Sequence, residues 1–343
     1  MRIMGRPRVL FAVLASCFLL AGCGSGPGQV GAAVIIDDHV VSIDQVQALI
    51  DRAVQDQPLA RQMAQQHKLD LIGREAVQQL VIHDVLAKVA KREGLVVDDA
   101  QISQTLQKDP LAPVVPADGS VPPEQAAKEI VTRARDHREA IVDLILQQQL
   151  ALKYLTRLSV TFDYSPVASQ NADGTPVNAR DVALEKAKLF ASDPAAATAS
   201  LQQDAQAFAA QAEQQGQAPP AKPQNIGVQL VAAQSPADAG TALFGVPAGT
   251  VVAFQPSSGD AGWVVVVVRD RTIGAPVTVT DATQPTPDQL GAIGQRLLQP
   301  DIDTTSLKIN PRYGVWDPVA LNLAPSEATT TGIVLPMAGA PKP

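Results

Sequence analysis

The chain has 343 residues, 46% of them hydrophobic but only 3% aromatic, and a formal net charge of −7. That acidity excludes the basic patch of a nucleic-acid-binding protein and any electrostatic attraction to anionic lipid. Two cysteines, Cys17 and Cys23, are too few for a disulfide framework or a cysteine metal site, and the length allows two aliphatic domains.

The first element is a leader. Arg2, Arg6 and Arg8 precede an apolar run from Val9 to Leu20, and small residues follow. Charge, a short apolar segment and small residues are the order of a secretory signal. The run is shorter than the ~20 residues that span a bilayer. The string Leu20-Ala21-Gly22-Cys23 resembles the bacterial lipobox, which implies cleavage after residue 22 and a diacylglyceryl group on Cys23. Residues 1–22 are therefore expected to be a signal peptide and 23–31 a lipidated flexible tether. Two acyl chains anchor stably where one does not, each buried methylene contributing about 0.8 kcal/mol. Loss of the three arginines takes the formal charge to −10, and of the two cysteines only Cys23 remains. The expected location is the extracytoplasmic face of the cell membrane, through the lipid.

Residues 32–41 predict a strand hairpin turning at Asp37-Asp38. Ser42-Ile43-Asp44-Gln45 predicts a capping box, and a helix to about Gln57. A long helix is expected over 60–92 with a break near Gly73, and Gly94 suits its end. A short helix follows over 99–106, capped by Asp98, then a proline-rich loop over 108–123. A third long helix is expected over 123–158, with Ile141, Leu144, Ile145, Leu152 and Leu155 as its buried stripe. From Ser159 the character changes. Strands are predicted at 160–167, 225–231, 251–255 and 262–269, with 277–280 extending the sheet. Helices are predicted over 177–190, 195–214 and 287–298, and a strand over 306–310. The small, proline-rich residues 324–343 read as a disordered tail.

Several of these segments resemble the SurA and PrsA family of extracytoplasmic folding factors. Val34 to Ser42 is similar to the family's opening strand, turn and capped helix, with Asp37-Asp38 replacing the usual Asn-Gly. Ala76 to His83 with Ala87 to Gly94 resembles its second helix, Val96 to Ile102 the entry to its third, and Asn310 to Asp317 the closing segment of actinobacterial relatives. Ala242-Leu243-Phe244, Val246 to Val251 and Gly262 to Val266 resemble a parvulin prolyl-isomerase domain. The resemblance implies an α+β fold. A mainly helical SurA N-terminal-like domain (32–159) carries an inserted degenerate parvulin-like module (160–274), and a segment (275–323) returns to the helical domain.

Active parvulins place a histidine one residue after the aromatic of the last strand, where this chain has Val264, and another in the first strand, where Thr161 to Tyr164 offers none. The four histidines, His39, His67, His83 and His137, all precede the module, and no methionine lies between Met63 and Met337. No catalytic, metal-binding or cofactor-binding residue is assigned; Cys23 is the single site residue. The histidines read as scattered and solvent-facing, Asp98-Asp99 as capping, Asp136 and Asp143 as helix-surface charges, Trp263 as core and Trp316 as a lock on the closing segment. No phosphate-cradling glycine loop or nucleophile elbow occurs. The expected function is a membrane-tethered chaperone or holdase for unfolded exported polypeptides, with no nucleic acid, cofactor or small-molecule substrate. An active prolyl isomerase and a non-catalytic envelope scaffold or adaptor are the alternatives.

Overall fold

The structure is a computed structural model that describes residues 30–108, 110–171, 173–218, 220–256, 261–278 and 284–340. The expected signal peptide and Cys23 lie outside the described residues. Strands β1 (Ala32–Ile36) and β2 (His39–Ser42) form the hairpin. At its turn Asp37 has φ 57°, a left-handed conformation that aspartate tolerates through local hydrogen bonds. Its carboxylate accepts from the Ser306 amide (2.9 Å) and from Lys88 (3.0 Å). Ser42 Oγ accepts the Gln45 amide while Gln45 Oε1 accepts the Ser42 amide, so the capping box forms and opens α1 (Ile43–Asp56). Helices α2 (Pro58–Gln65), α3 (Leu69–Glu93), α4 (Asp99–Gln107), α5 (Pro123–Ala134) and α6 (His137–Tyr154) follow.

Two expected long helices are each a pair. The first breaks at residues 66–68, where His67 has φ 56°, and not at Gly73. That glycine lies inside α3, where an added Cβ would stand 3.4 Å from the Tyr313 ring. The second breaks at Arg135, which is extended, and Asp136, whose side chain accepts the Glu139 amide and starts α6. In both places the break is a short polar run, Gln65 to Lys68 and Arg135 to Glu139, brief enough to pass for the exposed face of one continuous helix.

The remaining elements are β3 (Leu158–Val167), α7 (Ala179–Ser192), α8 (Pro194–Gln214), β4 (Val228–Val231), α9 (Pro236–Ala239), α10 (Ala242–Gly245), β5 (Thr250–Phe254), β6 (Trp263–Ile273), α11 (Pro287–Leu297), α12 (Gln299–Thr304), β7 (Leu307–Ile309), β8 (Val315–Asp317), β9 (Asn322–Ala324) and β10 (Gly332–Pro336). The sheet order is β10-β5-β6-β3-β4, antiparallel throughout. Its valine-rich β6 is covered on both faces. Val265 and Val267 pack with Ala187 and Phe190 of α7; Val266 and Val268 pack with Phe244 and with Ile293 of α11. That is why the strand reads as a continuous apolar run. Strand β6 itself runs on to Ile273, and Val277 and Thr278 are irregular rather than strand. β7 pairs with β1 (Val34 opposite Ile309), so the hairpin becomes a three-stranded sheet. The result is a mixed α+β fold.

The expected disordered tail is a correction. Residues 332–336 form β10, paired with all five residues of β5. Composition misleads here because Ile333, Leu335 and Met337 are packed against the α7 face of the sheet, which repays the ordering entropy of an otherwise polar stretch. A Cβ on Gly332 would lie 2.1 Å from the Ala253 carbonyl oxygen. Gly332→Ala is expected to cost about 1–3 kcal/mol, read as a lower urea midpoint with faster proteolysis of the C-terminal segment. No helix of the described residues is long and apolar enough to cross a membrane.

Candidate functional site

Helices α3, α5, α6 and α11 enclose a cleft of about 500 Å³. The break between α5 and α6 supplies its polar floor. Arg135 is buried there and its Nη2 donates to Glu139 Oε1 (2.5 Å) and to Asp143 Oδ2 (2.6 Å). His83 of α3 shares Asp143, with Nδ1 2.9 Å from Oδ1. The hydrogen bond to Asp143 holds the imidazole pKa above its ordinary value, against the opposing effect of burial. Asp143 is therefore no surface charge: it is 6% exposed and buried with its cation. His83 is half-buried in this network rather than solvent-facing, while His67 sits apart in the α2–α3 break.

His83, Glu139 and Asp143 bring three potential ligand atoms within 4.8 Å of one another. The Arg135 Nη2 lies within hydrogen-bonding range of both carboxylates and 3.5 Å from His83 Nδ1. The guanidinium supplies the positive charge at the centre of this trio, and the geometry fits a buried ion pair better than a metal centre. His39 pairs with Asp84 (2.9 Å) and His137 lies 3.2 Å from the Arg133 carbonyl.

The walls mix amides and aliphatic groups. Gln79 Nε2 donates to Glu75 (2.8 Å) and Thr132 (3.0 Å), and desolvation pushes the Glu75 carboxyl above its ordinary pKa. Ile82, Leu111, Ile141 and Leu144 supply the apolar lining, and no aromatic residue lines the cleft. Away from it, Glu93 ties the end of α3 to α6, accepting from Lys153 (2.8 Å) and Tyr154 (2.6 Å). Those bonds lower its pKa to about 2. A depressed carboxylate stabilises the fold fully above its unfolded value of 4.5 and loses that contribution as pH falls towards 2. Glu93→Gln is expected to lower stability at pH 7 and to converge with the wild type as pH falls from 4.5 to 2, measured by urea unfolding.

The sheet module holds other polar groups. Asp163 is buried, accepting from Arg269 (2.6 Å) and the Gly227 amide (2.7 Å). Ser165 donates to Asp204 and accepts from Lys186. Ser165 has no exposed surface, so this serine–lysine contact pins α7 and α8 to β3 and cannot reach a substrate carbonyl. A second groove of about 610 Å³ runs between the end of β5, the start of β6 and residues 328–331. Trp263 is half-buried there, packed against the core on the α7 face of the sheet with Arg180 5.9 Å from its ring centroid. On the opposite face of β6, Val264 packs into a core that includes Val319 of the closing segment. Trp316 is half-buried against the helical cores. The closing segment is held by the fully buried Asp317, which accepts the Val319 (2.9 Å), Ala320 (3.2 Å) and Thr331 (2.5 Å) amides.

Sequence reading missed the cleft because its floor is assembled at the concealed α5–α6 break. One signal was available: Arg135, Glu139 and Asp143 recur at intervals of four, the spacing at which opposite charges meet.

Residues 6–119 match the family model described as the SurA-like N-terminal domain. No curated protein matches the chain. Within the described residues the matched span runs from the hairpin through α4 and includes α3, one wall of the cleft. The chain carries a SurA-like N-terminal domain over residues 6–119, about a third of its length.

Proposed function

We propose that the chain is a membrane-anchored extracytoplasmic lipoprotein that holds unfolded exported polypeptides and does not catalyse prolyl isomerisation. The carrying observation is the SurA-like N-terminal domain with a cleft of mixed amide and aliphatic lining along its α3. SurA-like domains bind unfolded substrate proteins in general, and exposed apolar lining such as Leu144, 37% exposed, suits segments of no fixed sequence. The test is aggregation of a chemically unfolded exported protein, followed by light scattering. Suppression at a few-fold molar excess is expected, and none would sink the holdase reading. Pull-down of one stoichiometric partner, instead of many exported chains, would favour a scaffold.

The anchor is proposed on Cys23. Cys23→Ala is expected to leave the protein unprocessed or released from membranes; a processed, membrane-bound variant contradicts it. The lack of isomerase activity rests on side chains. The module carries none of the four histidines, and Val264 is packed into apolar core. Lowering a barrier of about 20 kcal/mol takes a shaped polar pocket. A proline test peptide is expected to isomerise at its uncatalysed rate, and measurable acceleration would overturn this reading.

A further inference from the structure

The cleft is lined by glutamines from each of its four helices: Gln78 and Gln79 of α3, Gln125 of α5, Gln147 of α6 and Gln295 of α11. The Nε2 of Gln79 is committed to Glu75 and Thr132, while its Oε1 is buried without a partner. The side-chain amides of the other four have no hydrogen-bond partner among the described residues. Gln78, Gln147 and Gln295 are half-buried residues whose amide atoms still face solvent, so a ligand in the cleft can exchange their water for its own polar groups.

The charges around them select little. Arg135, Glu139, Asp143 and His83 pair with one another, leaving only the Arg135 Nε of this group buried without a partner, and Glu129 pairs with Arg133. Glu75, Lys128 and Asp288 remain, of both signs. With no aromatic face, the lining is ill-suited to stacking a planar ligand. What it offers is a set of groups that each donate and accept. An extended polypeptide presents one N–H and one C=O per residue, the complement of such a set, whatever its side chains are.

We propose that this cleft takes an extended, unfolded polypeptide by its backbone, through the unpaired side-chain amides of Gln78, Gln125, Gln147 and Gln295. The proposal rests on the holdase reading and adds what is read: peptide groups, with Leu111 and Leu144 supplying unselective apolar contact.

The test is fluorescence anisotropy of the purified protein with a labelled unstructured peptide, a scrambled version, and a version N-methylated at alternate residues. N-methylation deletes backbone donors and keeps the side chains. The scrambled peptide is expected to bind within about twofold of the parent and the methylated one about tenfold more weakly. The variant Gln78→Leu/Gln147→Leu/Gln295→Leu is expected to bind the parent about tenfold more weakly, with an unchanged circular dichroism spectrum. A cleft that reads apolar side chains would bind that variant more tightly, so the two accounts predict opposite signs. Equal affinity for the methylated peptide, or unweakened binding by the triple variant, overturns the proposal. Should the triple variant not fold, the exposed Gln125→Leu and the three peptides on the wild type decide the question. If the wild type suppresses aggregation and the folded triple variant does so equally, backbone reading in this cleft fails and the holdase reading stands. If the wild type neither suppresses aggregation nor binds any of the peptides, both fail.

Discussion

Gly294→Ala is expected to destabilise the protein by about 3 kcal/mol or more, at the upper end of the cost of inserting a methyl group into a packed contact. Helix α11 crosses α6 so closely that a Cβ at residue 294 would stand 2.0 Å from the Gln147 carbonyl oxygen and 2.8 Å from its Cα. These are backbone atoms of a helix and have no rotamer through which to retreat. The helices would have to part, and Gln147 and Gln295 of the cleft would part with them. Gly291, one turn earlier, is the control. Its added Cβ would meet nothing closer than the end of the Gln147 side chain at 3.9 Å. Gly291→Ala is expected to be neutral or to stabilise by about 0.5–1 kcal/mol through helix propensity. Urea unfolding of both variants checks the contrast; equal stabilities would mean that the close crossing is not what Gly294 permits.

Arg135→Met is expected to cost about 3–5 kcal/mol, the range for breaking a buried ion pair from one side. Arg135 is 8% exposed and Asp143 6%, so the variant leaves the buried Asp143 carboxylate with the half-buried His83 as its remaining partner. Adding Asp143→Leu is expected to restore much of the loss, because apolar groups of similar volume often replace such a pair without penalty. A double variant no more stable than Arg135→Met would show that the charges, not their mutual compensation, hold α5 to α6. The same floor titrates. The pKa of His83 is raised in the fold, so its contribution is fully present below the unfolded value of 6.5 and is lost as pH rises through the folded value. The stability difference between wild type and His83→Gln is expected to shrink above pH 6.5, followed by unfolding at a series of pH values.

Elements whose signals are local were legible in the sequence. Ser42 and Gln45 form a capping box within four residues, Gly94 ends α3 with φ 65°, and the valines of β6 announce a strand covered on both faces. What failed depends on distant partners. Residues 332–336 read as tail because the strand they join, β5, lies some 80 residues earlier. Asp143 read as surface because its partners come from outside its own helix, Arg135 from the break before α6 and His83 from α3. Trp263, at the first residue of its strand, packs against the core on one side and lies beneath Arg180 on the other, a position at the rim of the core that its sequence context does not reveal. The four open glutamines were invisible as a set, since only the crossing of α3, α5, α6 and α11 gathers them.

Photo-crosslinking to an unfolded client tests the central claim most directly. A photoreactive residue placed at the exposed Gln125, on the cleft, is compared with one at Glu213, near the end of α8 and away from the cleft lining. The account predicts client adducts from position 125 that competing unfolded peptide abolishes, with few from position 213. Adducts from position 213 alone, or none from either in a protein that suppresses aggregation, would contradict a cleft-bound chain.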